Sequence, residues 1–224
     1  MNDRRVAKII RKCQEEQSDF LDLRNLGLKE IPAEVFEMTH LRRLNLGRRY
    51  YKKREWIDKN YKRSFNNIKQ LPKELALLQN LEELSLEGNS IADIEILSKL
   101  PHLQQLNIGG IKLKSFEILH RLPNLKALNV NNLDLRSIDW LSNFNFFELT
   151  ELDMSSNGIQ KIENLESLAN LERLSLNSNQ IKEIKNLELL TKLKKLSLGS
   201  NQITEIKNLE SLTELKKLSL DSNQ

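Results

Sequence analysis

Apolar residues return along this chain at a fixed interval. Leu81, Leu84, Leu86, Asn89 and Ile91 follow the spacing LxxLxLxxNxI, and the same spacing recurs in Leu171, Leu174, Leu176, Asn179 and Ile181 and again in Leu193, Leu196, Leu198, Asn201 and Ile203. Self-similarity at a period of this size is the mark of a solenoid. Aligned on their first position, nine repeats begin at Ser18, Leu41, Leu81, Leu103, Leu125, Leu149, Leu171, Leu193 and Leu215. The fourth and sixth positions of each are apolar around one polar residue, which predicts a short strand with one buried face. Each strand is followed by a return segment with its own apolar residues, such as Ile184, Leu187 and Leu190, so successive strands must run parallel. One repeat cannot bury its own apolar face. It folds only when neighbours cover it.

The ninth position holds Asn89, Asn157, Asn179, Asn201 and Asn223, where packing alone would favour an apolar residue. A buried amide must be hydrogen-bonded. Its oxygen and two N–H donors can serve the backbone at the bend after the strand and in the adjacent repeat, so these residues are expected to form a structural ladder. Leu26, Ile111 and Leu133 interrupt it. Ahead of the repeats, Val6, Ile9, Ile10 and Cys13 fall on one face of a helical stretch, opposite Arg4, Arg5, Arg11 and Lys12. That pattern predicts an N-terminal helical cap over residues 1–17, followed by one repeat domain over 18–224.

These residues resemble the leucine-rich-repeat superfamily from about Ser18 to Gln224. The 22-residue repeats with paired isoleucines (Ile91 and Ile94, Ile181 and Ile184, Ile203 and Ile206) are similar to the regulatory subunit of protein phosphatase 1 and to bacterial internalins. The LKEIPAEV and IKQLPKEL segments of the first two repeats, with Pro32 and Pro72, resemble bacterial repeats and those preceding the GTPase of Roco proteins. The resemblance implies an α/β solenoid, a horseshoe with a parallel concave sheet, and a role in binding other proteins. In one respect the chain departs from the phosphatase regulators. Its fifth-position column (Asp22, Asn45, Ser85, Asn107, Asn129, Asp153, Ser175, Ser197, Ser219) holds no aromatic residue, so the predicted concave floor lacks the usual anchors of a tight interface.

The second repeat breaks the period. From Leu41 to Leu81 there are 40 residues, which exceeds a 23-residue repeat by 17, and the excess lies at 49–65 as RYYKKREWIDKNYKRSF. This insertion carries all three tyrosines, seven basic residues and two acidic ones, a net +5 against +4 for the whole chain. The chain's basic excess therefore resides in one loop, expected on the rim. Arg48, Arg49, Lys52, Lys53, Arg54, Lys62 and Arg63, interleaved with Tyr50, Tyr51, Trp56 and Tyr61, form the first candidate partner site. Such a mixture can meet an acidic protein, phosphates and bases, or an anionic membrane. Alternatively its rings fold back on the neighbouring repeat while its cations keep it soluble.

Positions 2, 3, 5, 7 and 8 are expected to face solvent from the strand side. Glu83, Asp153, Arg173, Lys195 and Lys217 are the candidate contacts there, with Lys194 and Lys216 beside them. The basic group can be a docking strip for an acidic protein segment, or only the solvated face of duplicated repeats. In the 24-residue fifth repeat, Trp140, Phe144, Phe146 and Phe147 are expected to fill a widened core, the alternative being an exposed patch for oligomerisation or a lateral partner.

Composition narrows the function. Hydrophobic residues at 39% and charged residues at 29% argue against disorder, collagen and membrane proteins. No apolar run reaches the roughly 18 to 20 residues of a spanning helix. The single cysteine, Cys13, cannot form an internal disulfide, and the absence of a secretory pattern in MNDRRVAKIIRKCQEEQ points to the cytoplasm. No nucleophile constellation, zinc-ligand spacing or phosphate-binding loop is present, so no cofactor, metal or catalysis is expected. The ninth repeat stops before its isoleucine, which raises the expectation of a further domain after Gln224 or of a second chain over that end. The leading reading is a non-catalytic protein-interaction scaffold. The alternatives are the sensing region of a larger signalling enzyme and nucleic-acid or lipid binding through the insertion.

Overall fold

The alternating segments form strands wherever the period places them. In a computed structural model, which describes residues 2–48, 65–142 and 147–224 and no side chain before Arg4, these residues form two compact units, Met1–Ile118 and Leu119–Gln224. The first contains helix α1 (Asn2–Glu15) and strands β1 (Phe20–Asp22), β2 (Arg43–Asn45), β3 (Glu83–Ser85) and β4 (Gln105–Asn107). The second contains β5 (Ala127–Asn129), β6 (Glu151–Asp153), β7 (Arg173–Ser175), β8 (Lys195–Ser197) and β9 (Lys217–Ser219). Within each unit consecutive strands pair in parallel, and the central leucines fall in register, as in Leu21, Leu44, Leu84 and Leu106 or in Leu174, Leu196 and Leu218.

Each strand is only three residues long because the sixth-position residue already belongs to the bend. The leucine at the strand's centre points inward, while its two neighbours face outward. Return arms close the core from behind. In the first two repeats the arm starts at Pro32 and Pro72, whose fixed φ of −57° and −73° leads into the 3-10 turns Ala33–Glu37 and Lys73–Leu77. The seventh repeat shows the packing: Leu171, Leu174, Leu176, Ile181, Ile184, Leu187 and Leu190 are all exposed by 1% or less. At roughly 1.5 to 3 kcal/mol per fully buried side chain, this apolar set is the main stabilising term, and neighbouring repeats provide its cover. Ile184, with another repeat stacked on it, is fully buried, whereas its counterpart Ile206 is 68% exposed.

The asparagine positions explain how the bends are satisfied. Asn179 accepts from the Ile159 N–H at 3.1 Å and donates to the carbonyls of Met154 and Leu176 at 3.1 and 3.0 Å. Asn201 repeats the arrangement one step on, with Ile181 N–H, Leu176 and Leu198 as partners at 3.0, 2.9 and 2.9 Å. Asn89, Asn157 and Asn223 occupy equivalent places. The leucines that interrupt the series are served from the next repeat: Asn66 accepts from the Leu26 N–H and Asn157 from the Leu133 N–H. One residue earlier the backbone is left-handed, with φ of 55°, 52°, 55°, 55°, 56° and 58° at Asn25, Asn132, Ser156, Ser178, Ser200 and Ser222. Glycine fills this place at Gly88, φ 69°, where an added Cβ would also meet the Arg48 side chain.

A second asparagine series was not foreseen. Asn186 and Asn208, at φ 58° and 60°, donate to the carbonyls of Ile162 and Ile184, each at 2.7 Å, and tie one return arm to the one before it. Asn164, also at φ 58°, donates instead to the Asp139 carboxylate at 3.2 Å.

At the amino end, α1 buries Val6, Ile10 and Cys13 against the first repeat and leaves Arg4, Arg5, Lys8, Arg11 and Lys12 in solvent. One expectation about the core fails. Trp140 is half-buried beside a buried Leu141, but Phe147 is 65% exposed, while Phe144 and Phe146 lie outside the described residues. The reason is local: Leu149 takes the core position, and Asn170 holds the Phe147 carbonyl in the surface turn at 2.7 Å.

Candidate functional site

The outward positions of the strands form the surface on which side chains from successive repeats come together. Its chemistry differs between the two units. On β1–β4 the charges are matched at close range. Arg43 reaches Asp19 at 2.8 Å and lies over the Phe20 ring at 4.9 Å, Arg42 pairs with Glu82, and Gln105 donates to Glu83 at 3.1 Å. Glu87, only 8% exposed, accepts from the Asn107 amide at 3.3 Å. Gly47 lets this face close up, since a Cβ there would lie 2.6 Å from the Ser85 hydroxyl and 2.9 Å from the Glu87 N–H nitrogen. The candidate contact Glu83 is thus engaged by a neighbouring amide within this network.

The fifth-position column is not the free floor expected from the sequence. Asn45, Asn107 and Asn129 are 3%, 6% and 4% exposed, and each accepts a hydrogen bond from the N–H two residues on, at 3.0, 3.0 and 2.8 Å. Asp153 does the same for Ser155 at 2.9 Å, and Asp22 for Arg24 at 3.2 Å. A short Asx side chain at the end of a strand turns back on its own backbone and stiffens the bend. Burial pushes the Asp22 carboxyl above its usual value, an effect opposed by the Arg24 charge and the Arg24 N–H. Asp153, counted from sequence as a partner contact, is half-buried and engaged within its own turn.

On β6–β9 the balance changes from acid to base. Arg173 pairs with Glu151 and lies 3.6 Å from Glu172, and Lys194 meets Glu172 at 2.7 Å. The Lys194 hydrogen bond, ahead of burial and the nearby charges, holds the Glu172 carboxyl below its usual value. No salt bridge reaches Lys195, Lys216 or Lys217 among the described residues. Register sets Lys195 directly beside Lys217. Arg173, Lys195 and Lys217 are thus consecutive in one exposed row.

The insertion is framed by described residues. Arg48 lies over the Phe65 ring at 4.6 Å, and Asn66 resumes the asparagine series by donating to Leu23 and Leu46 at 2.8 and 2.9 Å. Arg49, Tyr50, Tyr51, Lys52, Lys53, Arg54, Trp56, Tyr61, Lys62 and Arg63 lie outside the described residues. A shallow polar cavity of about 380 Å³ lies among the return segments, lined by glutamine and lysine side chains with Glu183. Among the described residues no cluster of metal-capable side chains and no helix long and apolar enough to cross a membrane is present.

Two family models match the chain: "Leucine Rich repeats (2 copies)" over residues 79–119 and "Leucine-rich repeat" over 144–223. This chain belongs to the leucine-rich-repeat superfamily. Among solved structures it is similar to an internalin, inlF, from Listeria monocytogenes, at 26% identity and a TM-score of 0.69, over 91% of this chain and 55% of that one. It is also similar to internalin C2 of the same organism at 30% identity and a TM-score of 0.60, over 67% of this chain and 66% of that one. A complex of TLR13 with ssRNA13 shares the fold alone, at 22% identity and a TM-score of 0.59 over 84% of this chain and 26% of that one. The chain spans about half the length (55%) of the inlF structure. No curated protein matches it. In leucine-rich-repeat terms, the regular leucines and asparagines build the frame and the outward strand positions are what varies. That separation locates the candidate surface.

Proposed function

We infer that this chain is a non-catalytic protein-interaction module that takes a protein partner on the outward face of its strands, with the 49–65 insertion as an accessory contact. The observation that carries this reading is the division of labour within each repeat. Most leucines and isoleucines are buried and two asparagine series are hydrogen-bonded to the backbone of neighbouring repeats, whereas the residue before the strand leucine ranges along the array from aromatic through acidic to basic. A rigid array of variable side chains loses little freedom on binding and offers a large continuous surface. Membership in a superfamily of interaction modules supports it. A reducing, cytoplasmic setting is part of the proposal, supported by the lone Cys13 thiol, which burial pushes up and renders unreactive.

Affinity capture from the native source tests it with three chains. One is intact, one carries Ser175→Trp with Ser219→Trp to obstruct the strand face, and one carries Gln160→Trp in a return segment. A protein captured by the first and third chains but lost from the second is the expected outcome. Equal capture by all three would remove the strand face as the docking surface.

A further inference from the structure

The strand face of the second unit carries a charge imbalance that its own residues do not correct. At its upstream side Glu151 holds Arg173, Glu172 holds Lys194 at 2.7 Å, and Asp153 is engaged by Ser155 within its own turn. Downstream the acids run out. The near-copy segments KLKKLSLGSNQ and ELKKLSLDSNQ put Lys195 in register against Lys217, with Lys216 next to Lys217 in sequence. Asp221, the nearby carboxylate on β9's bend, accepts from the Ser219 hydroxyl at 2.6 Å. Like charges about 4.8 Å apart on neighbouring strands weaken their pairing, and most of a fold's outward rows avoid the arrangement. Here it occurs between Lys195 and Lys217, with Lys216 exposed beside them.

The surface beside the lysines also changes. At the fifth position, Asn129 and Asp153 give way to Ser175, Ser197 and Ser219. Serine is smaller than an Asx side chain, so the lysines are bordered by short side chains that leave room for an extended backbone. Ser197 is 5% exposed and Ser175 and Ser219 are half-buried, so small hydroxyl side chains border the lysines.

We propose that the face formed by Arg173, Lys195, Lys216 and Lys217 on β7–β9 is a docking strip for an acidic, extended protein segment, one rich in aspartate and glutamate. This rests on the protein-binding reading above and specifies the chemistry of the partner. Charge complementarity selects the occupant: carboxylates spaced along an extended chain can each meet a lysine while relieving the repulsion between Lys195 and Lys217. The absence of outward aromatic residues on these strands disfavours recognition of bases, which relies on stacking. Binding should be fast and salt-sensitive, because the Debye length shrinks to about 8 Å at physiological ionic strength.

The test is fluorescence anisotropy of the full chain with a labelled peptide of about ten residues alternating glutamate and serine, with its glutamine counterpart, and with a single-stranded oligonucleotide of equal charge. Lys195→Glu with Lys217→Glu should weaken the glutamate peptide by about tenfold or more at low salt, and raised salt should weaken the parent chain's binding. Lys182→Glu with Lys185→Glu, the same charge change in the return segment, should alter it by less than about twofold. Circular dichroism on both double variants verifies that they remain folded. Equal weakening by the two double variants, no binding of the glutamate peptide by the parent chain, or binding of the glutamine peptide as tightly would each overturn the proposal. Tighter binding of the oligonucleotide, lost with the same lysines, would overturn it in favour of nucleic acid. None of these results touches the capture experiment, whose readout is a protein and whose obstructing tryptophans leave the lysines in place.

Discussion

Asn201 spends every polar valence on backbone. Its oxygen takes the Ile181 N–H, and its nitrogen serves Leu176, Leu198 and Gly199 at 2.9, 2.9 and 3.3 Å. Asn201→Leu keeps the volume but strands these groups, so a loss of about 3 kcal/mol is expected in urea unfolding, and a loss below about 1 kcal/mol would refute the ladder's energetic role. Asn186 combines a left-handed φ of 58° with a hydrogen bond to Ile162. Asn186→Gly removes only the bond, whereas Asn186→Ala also adds strain. The alanine variant should be less stable than the glycine variant by about 1 kcal/mol. Asp22 gives a pH signature. Because burial raises its carboxyl in the folded chain, the folded state binds more protons just above the usual carboxylate value of about 4, and stability falls as pH rises through that window. Asn45, Asn107 and Asn129 show that an amide fits this position. Asp22→Asn should therefore flatten the decline, and an unchanged pH profile of the thermal midpoint would contradict the argument.

At the scale of elements, α1 stabilises the first repeat through one face only. Ile10, 4% exposed, should cost about 2 to 4 kcal/mol when cut to alanine, whereas Lys8→Ala on the exposed face should stay within about 0.5 kcal/mol. Comparable losses at both would mean that the helix is held by charge. The strands and α1 were legible because their apolar periods of 2 and 3.6 survive any choice of outward residue. The ninth-position asparagines were legible for the same reason: an amide among leucines must bond to something. The second asparagine series was overlooked, although IENLE, IKNLE and IKNLE repeat in the return arms. Its signal is a left-handed backbone, and an exposed-looking asparagine in a polar run does not reveal that. Phe147 was misread because aromatic residues were taken to mark volume, yet the turn it occupies is fixed at the surface by Asn170. At the fifth position the period correctly said outward, but the reach of a short side chain back to its own bend buried Asn45 and Asn107.

Over the whole molecule, the buried repeat positions provide stiffness and the outward positions carry the differences in chemistry. The matched charges on β1–β4 and the unmatched lysines on β7–β9 come from the same outward positions, so the difference between them is chemical and not architectural. The repeat period already stacked Lys195 on Lys217, and the register agrees, but only the pairing of Glu151 and Glu172 with upstream cations showed that the downstream lysines are left over. The most direct measurement of the account is lysine footprinting by amine acylation and mass spectrometry, with the chain free and bound to its captured partner. Lys195, Lys216 and Lys217 should lose reactivity on binding while Lys182, Lys185 and Lys207 in the return arms keep theirs. Protection of the return-arm lysines with the strand lysines unchanged would contradict the claim that this protein works through the outward face of its strands.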